Sequence, residues 1–162
     1  HPRCAQYYPY FCNGLFSREQ ADKFDGVVVP RFGITLREVT DGTAQTMLIS
    51  ERCLHVDYHD PQHGANLESD NNAVYQGYEY DTIRWASSYV NPGNGSMPGM
   101  PRPDTEGPRE SATFRFGSSH PGIYQAAYCD GSVHVLTYKI DPKRWEQLGS
   151  RNDGGGPCGS IP

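Results

Sequence analysis

Two runs of strand-forming residues flank the dipeptide Asp130-Gly131 near the C-terminal end of the chain. Asp-Gly suits a two-residue type I′ turn, because both central residues of that turn need positive φ. The pattern therefore predicts a hairpin over residues 114–138 in which Tyr128 lies opposite Val133. Since side chains alternate along a strand, one face is predicted to be the core face, formed by Tyr124, Ala126, Tyr128, Val133 and Val135. The more polar face carries Gln125, Ala127, Cys129, Ser132 and His134.

Length and composition favour one domain, residues 1–162, with many turns and long connections. The chain is long enough to bury a sizeable core. Its 18 glycines and 13 prolines favour irregular structure over long helices. We expect an N-terminal strap over 1–13, a Pro/Gly-rich loop over 91–108 and a tail over 152–162.

Charge and hydropathy exclude some partners. The net charge is −5 and the basic residues form no stripe, which argues against nucleic-acid binding. No apolar run approaches the roughly 20 residues of a membrane span. The sequence begins with histidine, so we expect a processed or truncated chain.

Two short helices are predicted from their N-terminal signals. Thr35 and Glu38 have capping-box spacing, which predicts a helix over 35–40. Asp141 is a favourable N-cap for a second helix over 141–148.

Two further segments complete the predicted sheet. Residues 46–50 are typical of a buried strand, and Val27–Val29 are typical of an edge strand or a strand end because Pro30 follows. The predicted fold class is therefore α+β: a twisted antiparallel sheet with short helices and long Pro/Gly-rich loops.

Five cysteines without a CxxC pair argue against a zinc ribbon. Two disulfides and one remaining thiol are the simplest prediction, and they imply an oxidising compartment. Cys4 and Cys12 can close a local loop, Cys53 can meet Cys129, and Cys158 lies in the tail. The sequence leaves the pairing open.

The segment from Cys53 to His63 is the richest in possible metal ligands. Imidazole and carboxylate groups suit zinc or copper, and the candidate ligands are His55, Asp57, His59 and His63. Alternation along a strand would place the first three on one face, whereas Pro61 disfavours a helix. The alternative, a solvated polar loop, is favoured because metal motifs without supporting context are often false.

Calcium is the second metal option. Asp81, Asp104 and Asp130, with carbonyls of the Pro/Gly-rich loop, offer the hard oxygen ligands that calcium prefers. Aspartates that only form turns are the favoured alternative.

Aromatic residues between 75 and 85 have two possible roles. Tyr78, Tyr80 and Trp85 can stack on a sugar or a partner, or they can fill the core of a small sheet.

His120 and Asp130 suggest an acid–base pair, but a strand between them would hold them tens of ångströms apart. We therefore interpret His120, Asp130 and Gly131 as structural: His120 at the strand entry, the dipeptide in the turn.

Four segments in order resemble a known family. They are residues 39–52, residues 81–85, residues 116–122 and the spacing His120-x9-Asp130-Gly131. Together they are similar to domain of unknown function 1559, the prepilin-type H-x9-DG family.

The resemblance implies an exported protein with a pseudopilin-like plan, of which this chain would be the head without its hydrophobic helix. Pseudopilin heads also suggest the calcium option by analogy. The family supplies no catalytic residue. We expect a structural, non-enzymatic protein at the cell surface, in the periplasm or outside the cell, which self-associates or joins pilin-like subunits. The alternative is a metal-dependent enzyme or a carbohydrate-binding module that uses the His55–His63 loop and the Tyr/Trp segment.

Overall fold

A three-stranded antiparallel sheet, with strand order β1-β2-β3, organises the chain. The computed structural model describes residues 18–22, 24–29, 32–60, 82–88, 99–107, 112 and 114–154. The helices are α1 (Arg18–Ala21) and α2 (Pro142–Gly149), with 3₁₀ turns at Leu36–Glu38 and Val56–Tyr58. The strands are β1 (Met47–Ser50), β2 (Ile123–Tyr128) and β3 (Val133–Thr137). The fold is α+β, as predicted.

The hairpin forms, but with a register one residue away from the predicted one. Ala127, not Tyr128, lies opposite Val133. The Tyr128 carbonyl accepts a hydrogen bond from Gly131 N–H at 3.0 Å, and Tyr128 N–H donates to the Ser132 carbonyl at 2.9 Å. The loop therefore has three residues instead of two, and Gly131 occupies its left-handed position with φ 85°.

This shift reverses the predicted faces of β3. A one-residue slip turns every side chain of a strand to the other side of the sheet. Val133 and Val135, predicted for the core, are 64% and 61% exposed. The prediction for β2 is confirmed, because Tyr124, Ala126 and Tyr128 are all buried.

The core lies between the inner face of the sheet and α2. Trp145 of α2 is fully buried and packs edge-on against Phe116 and Tyr124, at centroid distances of 5.3 and 6.1 Å. Leu148 is buried one turn later, and Met47 closes the β1 side. The helix begins as predicted, since the Asp141 carboxylate accepts the Arg144 N–H at 3.0 Å.

Three local predictions are only partly confirmed. The capping box of Thr35 and Glu38 is present, but the helix is a single 3₁₀ turn. β1 forms at the predicted place, yet Ile49 is 62% exposed, so the strand is not buried as a whole. Val29 forms only an isolated bridge with Phe32 instead of a strand.

Arg151 joins distant parts of the chain. Its guanidinium donates to the carbonyls of Phe24 and Gly26, and the side chain is buried. Its own N–H donates to the Asp25 carbonyl at 2.7 Å, and its carbonyl accepts the Asp41 N–H at 3.1 Å. Residues 24–26 are thereby fixed beside the end of α2.

Cys53 and Cys129 are both free thiols, so the suggested bond between them is wrong. Cys4, Cys12 and Cys158 lie outside the described residues, as do the strap over 1–13, residues 91–98 of the long loop and the tail from 155. Among the described helices, none has the length and apolar character needed to cross a bilayer.

Candidate functional site

The outer face of the sheet, which points away from α2, carries an exposed apolar row. Ile49 of β1 lies opposite Ala127 of β2, which lies opposite Val133 of β3. Val135 stands on the same face two residues further along β3. Exposed apolar side chains that cluster across strands commonly mark interaction sites. We call Ile49, Ala127, Val133 and Val135 the outer apolar row.

β3 is an edge strand beside this row. It pairs with β2 through five consecutive residue pairs. On its other side, no segment within the described ranges pairs with it. The strand therefore presents backbone donors and acceptors next to exposed apolar side chains, a combination that favours pairing with another strand.

A polar cluster fixes the start of β3. The Asp130 carboxylate accepts hydrogen bonds from the Ser132 hydroxyl at 2.6 Å and from its N–H at 2.9 Å. The hydrogen bond from the Ser132 hydroxyl, followed by that from its N–H, holds the pKa of the Asp130 carboxyl below its usual range. Ser132 Oγ also lies 2.8 Å from His134 Nε2, and the His134 ring packs on Tyr128. These contacts order the turn and the first residues of β3.

His120 lies at the other end of β2. Its N–H donates to Ser118 Oγ at 3.1 Å, and its Nε2 is 3.5 Å from Glu51 Oε1. Glu51 in turn accepts the Gln125 N–H at 2.7 Å, so His120 contacts the junction of β1 and β2. Because β2 has six residues, about 20 Å of strand separate His120 from Asp130.

The proposed transition-metal ligands are not on a strand. Residues Val56–Tyr58 form a 3₁₀ turn, with His55 before it and His59 after it, so the predicted alternation is wrong. His55 Nδ1 accepts the Asp57 N–H at 3.2 Å. His59 Nε2 instead lies 3.0 Å from the Leu54 carbonyl and 3.2 Å from Asp104 Oδ2. His63 lies outside the described residues.

The calcium candidates are not brought together. Asp104 is buried and accepts the Leu54 N–H at 3.0 Å, while its own N–H donates to the Ser118 carbonyl. It is therefore near the start of β2, whereas Asp130 follows its end. Asp81 lies outside the described residues. Across the described ranges, no three His, Cys, Asp or Glu side chains group as metal ligands would.

Trp85 lines a cleft of about 220 Å³ beside β1. It is half-buried and packs against Phe114 at a centroid distance of 6.2 Å. Tyr78 and Tyr80 lie outside the described residues. The cleft is bounded by residues 24–28, 47–50 and 82–86, with Arg52, Phe116, Glu146 and Gly149.

The sequence interpretation missed the outer apolar row. It assigned Val133 and Val135 to the core because it assumed the shorter turn. The sequence nevertheless allowed the opposite assignment. β3 alternates valine with His134, and either face of such a strand is compatible with burial. His134 lies opposite the buried Ala126, and it is therefore on the inner face of the sheet.

The site is thus an apolar sheet face on a small α+β fold, beside a strand edge with which no described segment pairs. This class is that of a small α+β protein with a three-stranded antiparallel sheet. A family model described as protein of unknown function (DUF1559) matches residues 5–143, so the chain belongs to that family, as its four segments predicted. Comparisons with curated proteins and with solved structures return no match.

Proposed function

We propose that this chain is the exported head of a structural protein, which self-associates or joins pilin-like subunits in an envelope or extracellular assembly. The observation that carries the proposal is the outer apolar row beside the edge of β3, with which no segment in the described part of the chain pairs. Ile49, Val133 and Val135 are each more than 60% exposed. Burial of apolar area stabilises association by about 25 cal/mol per Å² removed from water.

The exported location is supported by the family, because the chain belongs to DUF1559 and members of that family resemble pseudopilins. The location is testable by fractionating the producing cells. We expect the protein in the periplasmic, surface or culture fraction, and recovery with cytoplasmic markers alone would contradict the proposal.

The association is testable by sedimentation velocity over a range of protein concentrations. We expect a dimer or larger species that Val133→Lys weakens at least tenfold, because the lysine must be desolvated on assembly. Leu36→Lys is the matched control, since Leu36 is similarly exposed, at 68% against 64% for Val133, but lies on the 3₁₀ turn and not in the sheet. A wild-type chain that stays monomeric, or equal effects of both variants, would contradict self-association.

Native mass spectrometry of the same samples tests the alternative of a metal-dependent enzyme or ligand-binding module. The structural proposal expects calcium or no metal. A monomer with one tightly bound zinc or copper ion would favour the alternative and would direct attention to the His55–His63 loop.

A further inference from the structure

We propose that two copies of this chain pair antiparallel along β3 about a twofold axis at Val135, which joins two three-stranded sheets into one of six strands. This inference rests on the proposed function and names the partner, a second copy, and its geometry. The arrangement is isologous, so each copy contributes the same surface.

The residues of β3 lack three features that usually prevent edge pairing, namely proline, lysine or acidic side chains, and a bulge. Residues 133–137 contain no proline, lysine or acidic residue. The five pairs with β2 follow in regular register, without a bulge that would bend the edge away. An edge with these properties is a template for a further strand.

The twofold axis matches the exposed side chains. With Val135 at the centre, it faces the partner's Val135, and Val133 faces the partner's Thr137. Facing side chains of an antiparallel pair have Cβ atoms about 4.5–5.5 Å apart. Val133 and Val135 thereby gain lateral contacts with side chains of similar size, and the outer apolar row of each copy becomes part of one continuous face.

Charge complementarity supports this occupant and this direction. Asp130 precedes β3 and Lys139 follows it by two residues, and both are exposed. An antiparallel arrangement brings the acidic start of one strand beside the basic end of the other, at both ends of the interface. A parallel arrangement would instead place Asp130 beside its own copy and Lys139 beside its own copy.

The opposite edge of the sheet is a poorer partner for β3. Residues 24–28 and 82–86 border β1 and form the walls of the cleft there. A strand arriving at β1 would have to enter the cleft between these walls, whereas along the outward side of β3 no described segment pairs with the strand.

Disulfide trapping in the full chain tests the register. In the proposed dimer Val135→Cys faces itself, within the Cα separation of 4.4–6.8 Å that a disulfide spans. We expect at least five times more covalent dimer from Val135→Cys than from wild type, whose own cysteines give the background. Val133→Cys is the matched control, on the same strand and face and similarly exposed. It should stay near background alone and cross-link when mixed with Thr137→Cys.

A second measurement uses charge. Lys139→Glu is expected to weaken association of the otherwise unchanged chain at least threefold, while Lys143→Glu, exposed on α2, leaves it unchanged.

The outcomes separate the two proposals. If wild type associates but Val133→Cys cross-links as well as Val135→Cys, the twofold pairing is overturned and the assembly role stands. Equal effects of Lys139→Glu and Lys143→Glu would overturn the antiparallel direction in the same way. If wild type remains monomeric in sedimentation and Val135→Cys stays at background, self-association falls together with its geometry.

Discussion

The two edges of the sheet differ in how the rest of the chain treats them. Along β1, residues 24–28 and 82–86 border a cleft. Along β3, no described segment pairs with the outward side, and Val133 and Val135 are exposed. Natural sheets usually cover or charge their edges. Within the described residues, segments of the chain therefore wall a cleft beside β1, whereas the outward side of β3 pairs with none of them, and it is this second edge that the proposed dimer uses.

The cleft beside β1 is held together by contacts that a single substitution can remove. Arg151 fixes the carbonyls of Phe24 and Gly26, which form one wall of the cleft. Ala86, in the other wall, lies so close to Gly149 that a Cβ atom added to Gly149 would come within 2.3 Å of the Ala86 Cβ. Stability should therefore depend strongly on residues beside β1 and weakly on exposed residues of β3.

The largest effect is expected at Gly117, where the extension of β1 meets residue 102. The Gly117 N–H donates to the Glu51 carbonyl at 3.0 Å, and an added Cβ would lie 1.9 Å from the Arg102 carbonyl oxygen. Gly117→Ala should cost about 3 kcal/mol or more, because backbone atoms must move apart. Urea denaturation of the purified variant gives the change in the free energy of unfolding.

Gly122→Ala is the control for backbone conformation alone. Its φ is 76°, and a Cβ there would meet no atom within 4 Å. The left-handed conformation alone should cost about 1–2 kcal/mol. Equal losses at Gly117 and Gly122 would show that close approach of the segments beside β1 is not a main source of stability.

The next effect is expected at Arg151. Arg151→Met keeps the apolar stem but leaves the Phe24 and Gly26 carbonyls without their donor, at a cost of about 2–3 kcal/mol. Arg144→Met removes an exposed arginine whose side chain donates to Gln45 Oε1 at 2.8 Å, and should cost about 0.5 kcal/mol or less. Thermal unfolding of both variants measures the difference. If Arg151→Met loses as little stability as Arg144→Met, the wall formed by residues 24–26 is held by other contacts.

The hairpin shows what local pattern predicts and where it ends. Alternation within β2 is enough to place Tyr124, Ala126 and Tyr128 in the core. The face of β3 depends in addition on loop length, and Asp130-Gly131 suits both the two-residue loop and the three-residue loop with a left-handed glycine. In the structure, Cys129 N–H and Asp130 N–H donate to the carbonyls of Thr46 and Thr43. These hydrogen bonds to residues 43 and 46 stabilise the three-residue loop, and the sequence of the hairpin alone does not predict them.

Arg151 could not be predicted for a related reason. Its side-chain partners are backbone carbonyls more than 120 residues earlier. Since every residue has a backbone carbonyl, the sequence does not indicate which of them a side chain contacts. The helix of residues 142–149 was predictable because its cap is local: Asp141 and Arg144 are three residues apart. For the candidate site, the family segments predicted the family, while the exposed surface followed only from the register.

The smallest effect concerns the polar cluster that starts β3, and it depends on pH. The Ser132 hydroxyl, then its N–H, lower the pKa of the folded Asp130 carboxyl relative to about 3.9 in the unfolded chain. Between the two pKa values the unfolded chain binds more protons. The stabilisation by ionised Asp130 is therefore present above about pH 4 and is lost as the pH falls through the folded pKa.

Asp130→Asn should consequently lower the melting temperature at pH 6 and approach wild type as the pH falls below about 4. Scanning calorimetry at several pH values, at concentrations where the chain is monomeric, measures the difference. Ser132→Ala removes the hydroxyl that donates to the Asp130 carboxylate, and it should reduce the pH-dependent part of the difference in melting temperature. Parallel curves for wild type and Asp130→Asn from pH 6 to pH 3 would show that the ionised carboxylate does not stabilise the start of β3. Among the described contacts, the pairing with β2 and the backbone hydrogen bonds of the loop would then be what orders β3.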